Sequence, residues 1–209
     1  MTELLAALEA HDPDRLLAAL RSGADPNLRS SDPPHWTPLH AAIEELENDG
    51  SIDAIVLLLR HGAQVDLRDG SGDATPLLMA VFRGQLEAVR LLLAAGADPG
   101  SVGAEGDSPL RVAVERGARD LAELLLRAGA DRTIDGAGGP SGMSALGRAA
   151  FHLDVAMIEL LLRHGARPAA LDADRRTARD HMPARTVSNL EAWDAAAQRL
   201  GQPSRDSSE

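Results

Sequence analysis

Cysteine is absent from these 209 residues, so neither a disulfide framework nor a thiolate metal site can form. Lysine is absent too, and every one of the 21 basic residues is arginine, which reads as a coding bias. Aromatic rings are scarce. The chain has two Trp, two Phe and no Tyr, yet 44% of it is hydrophobic, so Ala and Leu must fill the interior. Small residues at the contacts suit closely stacked helices. No apolar run approaches the roughly 18 residues needed to cross a bilayer, and no membrane association is expected. The start, Met1-Thr2-Glu3-Leu4, lacks the basic segment and apolar run of a signal peptide; the cytoplasm is the expected compartment.

Clustered cations are also missing. The net charge is −11, and Arg175, Arg176 and Arg179 are interleaved with Asp172, Asp174 and Asp180. Phosphate backbones are held by clustered Lys and Arg, so no nucleic-acid partner is expected. The seven histidines show no His-x-x-x-His or His-Glu-x-x-His spacing. No serine has an indicated base to activate it. Neither a metal, nor a cofactor, nor an enzymatic activity is expected.

What is present is repetition. One phrase reads Thr37-Pro38-Leu39-His40, Thr75-Pro76-Leu77, Ser108-Pro109-Leu110, Ser144-Ala145-Leu146 and Thr177-Ala178, at steps of 38, 33, 36 and 33 residues. A second keeps register: Gly23-Ala24-Asp25, Gly62-Ala63, Gly96-Ala97-Asp98, Gly129-Ala130-Asp131 and Gly165-Ala166. Gly follows the Thr/Ser by 21 residues except after Thr37, where the gap is 25. Such a period means stacked copies of one supersecondary unit. Thr or Ser before Pro starts a helix, because the hydroxyl caps open backbone N–H groups and Pro loses nothing at the first helical position. A second helix is predicted over Ile52–Arg60, Leu86–Ala94, Leu121–Arg127 and Val155–Arg163, each with three consecutive leucines. The Gly that follows closes each of these helices in the left-handed conformation. His61 and His164 precede it, where positive charge suits a helix C-terminus.

These phrases resemble those of the ankyrin repeat family, and the likeness covers roughly residues 1–200. The resemblance implies an all-α solenoid of stacked antiparallel helix pairs joined by β-turn fingers. The units read as an N-terminal cap over 1–29, repeats over 30–68, 69–102, 103–135 and 136–171, and a C-terminal cap over 172–200, in a single domain. In the cap, Glu3–Ala10 and Asp14–Arg21 are predicted helices broken at His11-Asp12-Pro13. Four extra residues within Glu44–Gly50 should lengthen one first helix by about a turn. The glycine-rich link over 135–142 should be mobile; it lacks the Lys-Ser/Thr of a phosphate loop. Pro183 should stop a helix over Thr177–Met182, and Ser188–Glu191 reads as a capping box for a final helix to about Leu200. The tail over 201–209 should be disordered.

In this family the finger tips and outward first-helix positions form a concave binding groove. Carried over residue by residue, they are Trp36, Ala74, Asp107, Met143 and Arg176 before each Thr/Ser. Seven and eight residues after it come Glu44 and Glu45, Phe82 and Arg83, Glu115 and Arg116, and Phe151 and His152. Three of the four aromatics fall on these positions, and aromatics are enriched in interface cores. The competing reading has each ring shielding the seam to its neighbour. Trp193 is expected to cover the end of the core. The acids at 44–49 either steer a basic partner or are a solvated helix end. His40 takes the family's structural histidine position, with Leu78, Arg111, Gly147 and Asp180 as its equivalents.

The reading that follows is a non-catalytic, monomeric module binding another protein through the concave face. An inhibitor or immunity-type protein neutralising a basic enzyme or toxin is the alternative. A third class, an enzyme with a small substrate, would require a closed pocket.

Overall fold

The computed structural model describes residues 2–70 and 73–201. The expected disorder of the tail concerns residues 202–209, which lie outside the described residues. Two compact units are present, Met1–Ala104 and Glu105–Glu209. The first holds α1 (Glu3–Glu9), α2 (Pro13–Arg21), α3 (Pro38–Glu45), α4 (Ile52–Arg60), α5 (Pro76–Phe82) and α6 (Leu86–Ala94). The second holds α7 (Pro109–Glu115), α8 (Arg119–Arg127), α9 (Ala145–Phe151), α10 (Val155–Arg163) and α11 (Leu190–Leu200). No strand occurs among the described residues, only an isolated bridge between Ala137 and Ser144.

Local chemistry explains the helix starts. Thr75 Oγ1 accepts from the Leu78 N–H at 3.2 Å, Ser108 Oγ from Arg111 at 3.2 Å, and Ser144 Oγ from Gly147 at 3.1 Å. Each second helix runs into a glycine at positive φ, for example Gly62 at 88° and Gly129 at 102°, a conformation that side chains with a Cβ adopt only under strain. Within the first unit α1 packs on α3 and α3 on α5, while α2 packs on α4 and α4 on α6. In the second, α7 packs on α9, and α10 on α9 and α11. The apolar stripes supply fully buried Leu16, Leu39, Ile55, Leu58, Leu77 and Leu92 to one core. Leu110, Leu125, Leu146 and Met157 belong to the other.

Several expectations need correction. The lengthened first helix ends at Glu45 and continues as a single 3-10 turn, Leu46–Asn48. Asp49 is left-handed, and the Gly50 N–H closes on the Glu45 carbonyl at 2.7 Å. The glycine-rich link is folded rather than loose. Gly139 N–H bonds the Glu105 carbonyl at 2.7 Å, and Gly138 lies so close to Gly106 that a Cβ would sit 2.0 Å from its oxygen.

In the C-terminal cap, the helix expected from Thr177 is a 3-10 turn, Ala178–His181, whose capping partner is Asp180. The capping box expected at Ser188–Glu191 lies two residues earlier, at Thr186–Asn189: Asn189 Oδ1 accepts from Thr186 N–H at 2.8 Å. The same amide donates to the Ala184 carbonyl at 3.0 Å, which draws Ser188 into the turn and leaves α11 without a side-chain cap. Trp193 is half-buried, its Nε1–H donating to the Pro183 carbonyl at 2.9 Å, with Arg179 and Arg185 at 5.7 and 5.8 Å from the ring.

Candidate functional site

In the first unit, Trp36 stands half-buried just before α3, and its carbonyl accepts from Ser30 N–H at 2.8 Å. Ala74 holds the equivalent place before α5. Phe82 ends α5 with 58% of its surface exposed, and Arg83 caps that helix. The guanidinium of Arg83 reaches Glu44 at 2.6 Å and Glu47 at 2.9 Å, joining two adjacent first helices. Gln85 Nε2 reinforces the seam on the Ile43 carbonyl at 2.8 Å. Glu45 turns the other way, toward His11 Nε2 at 2.9 Å. The carboxylates expected to surround the aromatics are thus engaged by neighbouring repeats, and Glu45 is not brought to Phe82's partner Arg83.

In the second unit, Phe151 ends α9, 45% exposed, with His152 edge-on at 5.2 Å between ring centroids. Met143 is half-buried, and Arg116 and Arg176 are exposed. Asp107 and Glu115 converge on the buried Arg111, and Arg148 Nη2 reaches Glu115 at 3.0 Å. Burial holds Arg111 below the ordinary arginine pKa, partly countered by Glu115. Arg176 contributes its backbone: its N–H donates to Asp172 Oδ1 at 2.9 Å, and its carbonyl accepts from Asp172 N–H at 3.0 Å. No group of three or more His, Asp or Glu placed to hold a metal ion occurs among the described residues.

Of the five positions equivalent to His40, only His40 itself makes the imidazole link. Its Nε2–H donates to the Ala74 carbonyl at 3.1 Å, so the neutral ring accepts the Thr37 hydroxyl proton at Nδ1, 2.8 Å away. Sequence reasoning missed two further devices. Asn27, Asp66 and Asp135 each accept from a backbone N–H of the next finger, at Gln64 (2.7 Å), Asp98 (3.0 Å) and Arg167 (2.9 Å). An Asn or Asp four residues after Gly23 and Gly62 was the available signal. The other is a buried pair, Asp172 Oδ2 and His181 Nε2, one residue past the expected histidine position; nothing in the repeat phrase announced it.

Residues 4–103 and 77–172 match the family model for ankyrin repeats (three copies). The chain belongs to the ankyrin repeat family. Such repeats generally mediate protein–protein interaction, and the fold is typically non-catalytic. Among curated relatives, the 2-5A-dependent ribonuclease of Homo sapiens is 36% identical over 84 residues, 40% of this chain and 10% of that protein. The ankyrin repeat protein YahD of Escherichia coli (strain K12) is 54% identical over 65 residues, 30% of this chain and 31% of that one. The chain thus covers between 10% and 31% of the length of these relatives.

Among solved structures, the ankyrin repeat domain of Bcl-3, a member of the IkappaB protein family, superposes with a TM-score of 0.77 at 28% identity. That match covers 92% of this chain and 80% of the other. A chain from the complex of the predatory endopeptidase Bd0816 of Bdellovibrio bacteriovorus with immunity protein Bd3460 gives 0.73 at 24% identity, over 95% and 98%; this shows the ankyrin fold alone.

Proposed function

We propose that this chain is a non-catalytic, cytoplasmic protein-binding module that grips a partner protein through the outward first-helix positions of its repeats. One observation carries the reading: Phe82 and Phe151, at the same position of two repeats, expose 58% and 45% of their surface in a chain with only four aromatics. Large exposed rings on otherwise polar edges are the residues that anchor interfaces. In the first unit the repeat pattern sets Arg83 and half-buried Trp36 with Phe82, and in the second it sets Asp107, Glu115, Arg116 and half-buried Met143 with Phe151. The test begins with capture of partners by the intact chain from extracts of its native cell, identified by mass spectrometry. A Trp36→Ala, Phe82→Ala variant that keeps its helical circular dichroism should hold the captured partner about 30-fold or more less tightly, since hot-spot truncations cost about 2 kcal/mol. Equal binding by the folded variant overturns the assignment.

A second reading is favoured by the charge. Residues 1–104 carry 16 Asp and Glu against 7 Arg, a net −9, whereas residues 105–209 carry 16 against 14, a net −2. An immunity-type or inhibitory role toward a basic enzyme or toxin fits that concentration. The fold shared with a chain of an endopeptidase–immunity protein complex makes such a role accessible to this architecture. Inhibition of the captured enzyme, steeply relieved by salt, distinguishes this reading from simple tethering.

A further inference from the structure

Most arginine side chains of the second unit are engaged by the protein itself. Arg111 and Arg148 hold Glu115, Arg167 holds Asp135 at 2.6 Å, and Arg185 holds Asp194 at 2.8 Å. Arg175 and Arg176 differ. Both are exposed, and neither guanidinium makes an ion pair or a hydrogen bond among the described residues. Asp180 feels the Arg176 charge but directs its carboxylate to the Thr177 N–H and hydroxyl, at 2.8 and 2.6 Å.

The two cations stand on the last finger, whose backbone is closed from within. An Asp side chain readily accepts from the N–H two residues on. Asp172 Oδ1 does so with Asp174 at 2.9 Å and also takes the Arg176 N–H at 2.9 Å. The Asp172 N–H donates to the Arg176 carbonyl at 3.0 Å, and the Ala173 N–H to the Gly142 carbonyl at 3.2 Å. Arg175 turns the loop at a φ of 60°. The finger thus keeps its shape without help from either guanidinium. Leu171, one residue before Asp172, is 50% exposed. Its counterparts six residues after Gly23 and Gly62 are Arg29 and Arg68, which cross to the carbonyls of Arg68 at 2.7 Å and Val102 at 2.9 Å on the next fingers. No finger follows the last one among the described residues, so that crossing has no counterpart at Leu171 and an apolar side chain faces outward.

A closed loop with two unpaired guanidinium groups and an exposed leucine is matched by a protein segment in which carboxylates flank an apolar side chain. Guanidinium forks pair bidentately with carboxylates. No internal ion pair has to break, and a loop already closed loses little freedom on binding. Nucleic acid fits less well. Phosphate backbones call for clustered cations, whereas Asp174 stands exposed beside these two, in a chain of net charge −11. Building on the reading of Arg176 as a partner-binding position, we infer that the last finger docks an acidic segment of the partner protein. Its carboxylates lie on Arg175 and Arg176, and an apolar residue between them lies on Leu171. This is the opposite sign to the one the whole chain's charge suggests, because recognition here depends on the few side chains left unpaired on one finger.

The probe is the end-blocked peptide Glu-Glu-Leu-Glu-Glu titrated into the isotopically labelled full chain, beside Gln-Gln-Leu-Gln-Gln and a single-stranded oligothymidylate. Amide shifts should centre on residues 171–177 and be lost with the glutamine peptide. An Arg175→Gln, Arg176→Gln chain should bind about three- to tenfold more weakly, as two exposed ion pairs allow. It keeps every backbone bond to Asp172, so folding is retained, as circular dichroism will verify. Asp174→Asn should bind about twofold more tightly. Arg163→Gln, which removes an exposed arginine elsewhere in the unit, should bind like the unaltered chain. So should the Trp36→Ala, Phe82→Ala chain, which leaves those anchors to be judged on the captured partner alone and keeps the two failures apart. Equal binding of the glutamine peptide, preference for the oligonucleotide, shifts centred on other exposed arginines such as Arg163, or unchanged affinity in the double arginine variant overturns the inference.

Discussion

His40 shows how one side chain joins two repeats. Burial is the main force on it and pushes its pKa below the ordinary 6.5; the Ala74 carbonyl and the Asp69 carboxylate oppose that, and Arg29 adds to it. The folded chain therefore prefers the neutral ring, and the unfolded chain binds the proton first. The resulting stability is complete above pH 6.5 and is lost as pH falls from there through the lower folded value. Unfolding free energy, measured in urea across pH 5 to 8, should decline on acidification in the unaltered chain. His40→Gln should flatten that decline and cost about 1–3 kcal/mol at neutral pH, because the Ala74 carbonyl and Thr37 hydroxyl lose their shared partner. An unchanged slope would show that the ring titrates as freely folded as unfolded.

Two elements of the second unit test the same logic at larger size. The finger over residues 172–176 folds around Asp172, whose Oδ1 accepts from the N–H groups of Asp174 and Arg176, both at 2.9 Å, while Oδ2 meets His181. Burial alone would raise the Asp172 pKa, but the Arg176 N–H, the His181 ring and the Asp174 N–H together outweigh it and hold it below 3.8. Its contribution is present above pH 3.8 and disappears as pH falls through the folded value, well below the window of His40. Asp172→Asn should cost about 1–3 kcal/mol and speed hydrogen exchange across residues 172–182. Exchange unchanged there would remove Asp172 as the organiser of the finger. The glycine link offers a steric counterpart: Gly138→Ala drives a methyl onto the Gly106 backbone and should lower stability by about 1–3 kcal/mol in a urea titration. A silent substitution would mean the link yields freely.

At the scale of the whole chain, charge is the property that sorts the functional readings. The excess negative charge belongs almost wholly to residues 1–104, and part of it stands at helix ends where it opposes the helix dipole. Binding of a basic partner should therefore weaken sharply between low and physiological salt, because exposed charges are screened beyond about 8 Å at 0.15 M. A partner anchored only by Phe82, Phe151 and Trp36 should respond little. Measuring affinity at two ionic strengths separates the two cases before any variant is made.

The sequence by itself determined the repeats, their helices and the family. Cap residues, prolines and closing glycines act over a few residues, which is why Ile52–Arg60, Leu86–Ala94 and Val155–Arg163 were legible to the residue. The repeat register put Phe82, Phe151 and Trp36 at outward positions but left open whether each ring faces solvent or shields the seam; the structure exposes the two Phe and half-buries the Trp. Tertiary structure alone decided what the charges do. Arg83 bridging Glu44 and Glu47, Glu45 turning back to His11, and Asp172 closing on His181 join residues between nine and thirty-nine apart. An ion pair depends on where long, flexible side chains meet across a packed seam, and the repeat register sets the seam without fixing which carboxylate crosses it.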